Sequence, residues 1–117
     1  MTSHIEKGRT GESIAVKYLI NKDYYILEKN FRIKTGEIDI IALKDDILAF
    51  VEVKTRTSTN YGYAYEAVNK KKQRKIINTA LYYIKLNRMK NYQLRFDIIE
   101  VYLGRTNKIN HFKNAFV

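Results

Sequence analysis

No cysteine, proline or tryptophan occurs in the 117 residues, and glycine appears only five times. Without cysteine there are no disulfides, no thiolate nucleophile and no cysteine-bound zinc. No apolar run approaches the ~20 residues needed to cross a membrane, and the N-terminus lacks the apolar segment of a signal peptide. A cytoplasmic protein is expected. Acidic residues are also few: 12 Asp plus Glu stand against 22 Lys plus Arg, for a formal net charge of +10. That excess suits a partner carrying phosphates. It suits equally a coding bias toward Lys, Asn, Ile and Tyr, so the placement of the charge has to decide. The two histidines, His4 and His111, lie near the ends and enter no catalytic pattern.

What is present most informatively is the stretch from Gly36 to Arg56. Two runs rich in Ile and Val flank Lys44-Asp45-Asp46, the pattern of a β-hairpin. Asp39, Glu52 and Lys54 interrupt those runs, and ionised groups are rare in such strands. A period of two puts Leu48, Phe50, Glu52 and Lys54 on one face and Ile47, Ala49, Val51 and Val53 on the other. If the turn is Asp45-Asp46, Asp39 falls opposite Glu52, with Cβ atoms roughly 5 Å apart. Two carboxylates that close do not both ionise freely without a cation between them. The expectation is a divalent-metal site with a lysine beside it. Glu37, one pleat before Asp39, either ligates the metal or decorates the strand entrance, and the second reading is favoured.

The length fits one α/β domain spanning 1–117. Ser3 and Glu6 form a capping box for a first helix from about His4 to Asn21. Its inward stripe is Ile5, Gly8, Glu12, Ala15 and Leu19. Glu12 then points inward; with the helix rotated, it would pair with Arg9 or Lys17 in solvent. A first strand is expected over Tyr24 to Ile33. Thr55 to Tyr63 reads as a polar loop whose Arg56, Tyr61 and Tyr63, with Tyr65 just beyond, either stack on bases or pack. A second helix is predicted from Glu66 to about Asn87, with Gln73, Ile77, Ala80 and Ile84 inward. Its start carries Lys70, Lys71, Lys72, Gln73 and Arg74. Basic residues where a helix already favours anions point to phosphate, which moves the balance toward nucleic acid. Leu94 to Tyr102 is a further strand, with Arg95 and Asp97 pairing structurally or lying at an edge. The tail through Phe112 and Phe116 adds a short strand or a docking segment.

Carboxylate oxygens suit Mg2+ or Mn2+ rather than zinc. Such an ion with an adjacent lysine suits phosphodiester hydrolysis. The spacing of Asp39 to Glu52-Val53-Lys54 resembles the active site of the PD-(D/E)XK, restriction-endonuclease-like superfamily. Gly8-x-x-Gly11-Glu12, Asn30-Phe31-Arg32, Gly36-Glu-Ile-Asp39, Phe50-Val-Glu-Val-Lys-Thr-Arg56, Lys72-Gln73 and Arg95-Phe96-Asp97 extend the match. Together they resemble the YraN family, small uncharacterised bacterial proteins similar to archaeal Holliday-junction resolvases. Ile38 stands where the superfamily has proline, as in YraN-like sequences. The resemblance implies a three-layer α/β/α core of order α-β-β-β-α-β with a mixed sheet. It also implies Glu12, Asp39 and Glu52 as metal ligands and Lys54 as the catalytic lysine. Lys72 and Gln73 would lean toward the scissile phosphate, with Arg56, Lys70, Lys71 and Arg74 beside the nucleic acid. The function expected is cleavage of structured or branched DNA, with a homodimer suited to cutting two strands. A non-catalytic nucleic-acid-binding module of the same fold is the alternative.

Overall fold

The computed structural model describes residues 4–57 and 68–117, with side chains of the first segment from Glu6 onward. Ser3, Glu66 and the loop tyrosines Tyr61, Tyr63 and Tyr65 lie outside the described residues. In chain order the elements are α1 (His4–Asn21), β1 (Tyr25–Ile33), β2 (Gly36–Lys44), β3 (Ile47–Arg56), α2 (Lys70–Asn87), β4 (Gln93–Tyr102) and β5 (Lys108–Phe112). The tail therefore supplies a short strand, one more than the core order required.

The strands form one sheet in the order β1-β2-β3-β4-β5, antiparallel throughout except for the parallel β3–β4 pair. Parallel neighbours need a crossover, and α2 lies in it. Its buried Ile76, Ala80 and Tyr83 join Leu48, Phe50, Phe96 and Ile98 on one face of the sheet. On the other face Ala15 and Leu19 of α1 pack with Ala49, Val51, Ile99 and Val101. The result is helix, sheet, helix. The two faces of β3 divide as its alternation predicts: even positions go toward α2, odd ones toward α1.

Two expectations about α2 need correction. The helix starts at Lys70 and not near Glu66, because Asn69 is extended (φ −72, ψ 170) and its side chain caps Lys72 N–H. Asparagine serves this role well because its short side chain reaches the unpaired amides of the first turn. The buried line is Ile76, Thr79, Ala80 and Tyr83. The expected stripe of Gln73, Ile77, Ala80 and Ile84 is turned by about one residue, leaving Gln73, Ile77 and Ile84 half-buried.

A buried polar network ties the layers together at β4. Asp97, fully buried, accepts from Arg95 Nε and Nη2 at 2.9 Å each and from Asn114 N at 3.0 Å. His111 Nε2 lies 2.8 Å from its Oδ2, and His111 Nδ1 lies 3.0 Å from the Tyr18 hydroxyl of α1. Arg95 Nη2 also donates to the Tyr24 hydroxyl. Arg95 and Asp97 thus pair structurally, as expected. His111, which fitted no pattern in the sequence, is the link that carries the network to α1.

Candidate functional site

The site lies in a fork. The β2–β3 ladder runs from Lys44↔Ile47 across the two-residue turn Asp45-Asp46 and ends at Ile40↔Val51. Asp45 takes φ 54 in that turn, a conformation aspartate tolerates. Beyond Val51, β3 pairs only with β4, while Gly36 to Ile38 of β2 pair only with β1. One further step of the register sets Asp39 beside Glu52, as the hairpin predicts. Instead of continuing the ladder, Asp39 Oδ2 accepts Val53 N–H at 2.7 Å. A side chain thus closes the last backbone donor at the point where the strands part.

The chain around Asp39 is irregular on its other side as well. Ile38 buries toward α2 and Ile40 toward α1, so strict alternation breaks at Asp39. Opposite it in β1, Asn30 has φ 54 and the β1–β2 pairing skips from Lys29↔Ile40 to Phe31↔Ile38. The register itself is unchanged across this gap; the shift in the β1–β2 ladder lies further along, between Ile26 and Glu28.

Two helices close the fork. A Cβ on Gly11 would lie 1.9 Å from Thr55 Oγ1, so only glycine lets α1 sit this close to β3. That approach carries the half-buried Glu12 within hydrogen-bonding reach of Asp39. On the other side a Cβ on Gly36 would meet Thr79 Oγ1 at 2.7 Å, so the start of β2 packs directly on α2. Lys72 of α2 then reaches Glu52, Nζ to Oε2 at 3.1 Å. Glu52 is buried, at 7% exposure.

The electrostatics follow from this crowding. Burial, then a hydrogen bond to Glu52 and its charge, raise the Asp39 carboxyl to about 9, despite the Val53 amide. Burial also raises Glu12, with Glu37 and Glu52 adding to it and the Asp39 hydrogen bond opposing. Asp39 therefore holds its proton more tightly than an ordinary carboxyl, with Glu12 and Glu52 both beside it. Burial and neighbouring Lys72 lower Lys54 to about 8. Burial works to lower Lys72 too, but Lys54 as a hydrogen-bond partner and the charge of Glu52 outweigh it and hold Lys72 raised. Three acids and two lysines are thus held in one chain of contacts. Among the described residues no three Asp, Glu or His groups converge as a ready-made metal cage. Glu52 is turned to Lys72 instead.

Two grooves of nearly equal size open from this centre. One, of about 590 Å³, lies against α2 and is lined by Asp39, Glu52 and Lys54 with Asn69, Lys71, Lys72 and Lys75. The other, of about 580 Å³, lies against α1 and is lined by Glu12, Asp39 and Lys54 with Lys7, Arg9, Asn30, Arg56 and Thr57. Glu37 borders both, paired to Arg32 at 2.9 Å near the entrance.

The profile of UPF0102, described as an uncharacterised protein family, matches residues 11–101, which hold Glu12, Asp39, Glu52, Lys54 and the basic start of α2. The chain belongs to UPF0102. It is 54% identical over 111 residues to a UPF0102 protein of Clostridioides difficile, covering 95% of this chain and 96% of that one. A UPF0102 protein of Caldanaerobacter subterraneus is 55% identical over 113 residues, covering 93% of both chains. One from Persephonella marina is 50% identical over 110 residues, covering 94% of this chain and 92% of the other.

In this UPF0102 chain the structure places Asp39 and Lys54 where the two grooves meet, Glu52, Lys71 and Lys72 on the α2 groove, and Glu12 and Arg56 on the α1 groove. It does not bring Lys70, Gln73 or Arg74 to either groove. Lys70 and Arg74 are exposed, and Gln73 Nε2 donates to Val68 O at 2.8 Å, bracing the entry to α2. Sequence reading missed Lys7, Arg9, Asn30, Thr57, Asn69 and Lys75 as lining residues. Lys75 was within reach, since it shares a helix face with Lys72 three positions earlier. Asn69 was too, as a cap residue before a helical run.

Proposed function

We propose that this protein is a metal-dependent phosphodiester hydrolase, an endonuclease acting on structured or branched DNA rather than RNA, with a restriction-endonuclease-like core. One observation carries the reading. Asp39 of β2 contacts Glu12 of α1 on one side and Glu52 of β3 on the other at a strand fork, with Lys54 one pleat beyond Glu52, at the junction of two grooves with cationic walls.

The donor set fits Mg2+ or Mn2+. Glu12, Asp39 and Glu52 offer only hard oxygens, and burial beside Glu52 raises the Asp39 carboxyl, a crowding of acids that a cation would relieve. These three residues would hold the ion, with Glu52 released from Lys72. Bound there, it supplies Lewis acidity toward water and a phosphate oxygen. Lys54 projects from the same strand face and orients the attacking water or meets the negative charge that develops on phosphorus. Lys72, freed from Glu52, and Lys71 hold the neighbouring phosphate oxygens. Val53 N–H keeps Asp39 aimed at the centre through these changes. No helix of the described residues is long and apolar enough to cross a membrane, which accords with work on DNA in the cytoplasm.

The alternative is a nucleic-acid-binding module of the same fold without turnover. The Lys72–Glu52 ion pair at 3.1 Å favours it, because it already neutralises one acid without any metal. Cleavage assays with Mg2+ or Mn2+ on labelled junction, flap, single-stranded and duplex DNA separate the two. Activity above an Asp39→Ala control is expected on at least one substrate. If none is cut while DNA is still bound, the module reading replaces the enzyme.

A further inference from the structure

We infer that a single DNA strand runs through both grooves, so that phosphates on each side of the cleaved bond are held by a different helix. This rests on the nuclease reading above and adds the path and the residues of its second half. The grooves are matched in size, about 590 and 580 Å³, and share Glu37, Asp39, Val53 and Lys54 between them. Their outer walls are cationic and come from separate elements. Lys71, Lys72 and Lys75 of α2 line one, while Lys7 and Arg9 of α1, with Arg56 at the end of β3, line the other. The acids sit between, at the fork. A nucleic acid presents its charge in a regular line, and a row of cation, acid centre, cation follows such a backbone with the metal site at one phosphate. A substrate engaged from one end only would leave one of the two basic walls without a partner. The bond attacked is therefore internal to the chain, with contacts on both flanks.

The α1 wall makes this testable apart from the chemistry. Lys7 and Arg9 lie on the first turns of α1, away from Asp39 and Lys54 in sequence, and are not among the ligands proposed for the metal. Glutamate near a helix N-terminus is favourable for the helix, so a Lys7→Glu/Arg9→Glu pair should fold. The control is Lys22→Glu/Lys90→Glu, the same charge change at exposed positions near the opposite end of the sheet. Binding of a fluorescein-labelled single-stranded DNA is measured by anisotropy against NaCl on the Asp39→Asn background, where no cleavage interferes.

The α1 pair should weaken binding at least tenfold and reduce the slope of log K against log salt by about 1.4, roughly 0.7 for each phosphate on a single strand no longer neutralised. The control pair should do clearly less. If the two pairs weaken binding equally, only the net charge matters and the second groove is not a strand track. If the parent protein does not bind DNA at all, the proposed function fails and takes this inference with it. A second experiment uses wild-type protein with Mn2+ on covalently closed single-stranded circles. Linearisation supports a strand passing through both grooves; digestion of linear strands with circles untouched overturns it.

Discussion

Asp39 concentrates the conflict between stability and the chemistry proposed for this molecule. Its carboxyl is raised to about 9 by burial and by Glu52, against an ordinary value of 3.8. A raised folded value means the group adds stability below the unfolded pKa, and that stability is lost as pH rises through the folded one. Near neutral pH the unfolded chain has already released a proton that the folded chain still holds, so the fold carries a cost. Asparagine keeps an oxygen for Val53 N–H, at 2.7 Å in the native chain, and offers Glu52 a permanent donor. An Asp39→Asn variant should therefore lose all cleavage yet gain roughly 1 kcal/mol of stability, the trade expected where an active site is strained. The gain should be absent near pH 4 and grow toward pH 9. Urea melts across that range check it, and a variant less stable at every pH contradicts the account. Asp39, Glu52 and Lys54 were legible in the sequence because a charge buried in an apolar alternating run is costly unless it has a partner or a task. Lys7, Arg9 and Asn30 were not, since single polar residues on a helix start or a strand edge look the same whether they line a groove or meet bulk water.

At the scale of elements the site depends on two close approaches. α1 reaches β3 only because Gly11 has no side chain, and that contact sets where Glu12 points. Gly11→Ala would put a methyl group 1.9 Å from Thr55 Oγ1, so α1 must move or Thr55 must turn. The expected result is a loss of about 1–3 kcal/mol, the usual cost of overpacking, with activity falling further than stability as Glu12 shifts. Adding Thr55→Ala should restore part of both, because the threonine Cβ alone would then stand 3.0 Å away. Gly8→Ala is the companion control. Nothing lies within 4 Å of a Cβ built there, and alanine favours a helix over glycine by about 1 kcal/mol. It should stabilise. Thermal melts of the three variants read these outcomes, and a Gly11→Ala variant as stable as Gly8→Ala would refute the packing argument. From sequence, two glycines near Glu12 signalled a close approach but not which of them makes it, because that depends on the path of a strand distant in the chain. The hairpin register was readable from its turn and alternation. The fork was not, since nothing in Ile38-Asp39-Ile40 announces that two neighbouring isoleucines bury on opposite faces. The start of α2 was missed for a related reason: a run of lysines has no apolar period to mark where helix begins.

Across the whole molecule, two polar centres sit on one sheet with opposite effects on stability. Asp97 is buried, which works to raise its carboxyl, but His111, Arg95 and Asn114 outweigh burial and hold it below the ordinary value. Its contribution is therefore complete above 3.8 and is lost as pH falls through the lower folded value. Asp97→Ala, which strands the Arg95 charge, should cost about 3–5 kcal/mol, read as a shifted urea midpoint at pH 7, and should flatten the acid limb of the stability curve. A midpoint moved by less than a tenth of that would mean that water replaces the carboxylate. The fork around Asp39 behaves the other way, as an acid cluster the fold tolerates and a divalent cation would stabilise. Anything that binds the folded chain alone raises its stability by mass action, by about 2.7 kcal/mol at a hundredfold excess over Kd. Mn2+ should accordingly raise the melting temperature of the wild type by several degrees, at about 4 °C per kcal/mol for a domain of this size. It should leave an Asp39→Asn/Glu52→Gln double variant unmoved. Equal shifts in both proteins would show that Mn2+ binds elsewhere. No shift in either, at millimolar Mn2+ and with DNA absent, would mean that Lys72 holds Glu52 more firmly than the ion can, and that the fork takes metal only once a phosphate draws that lysine away.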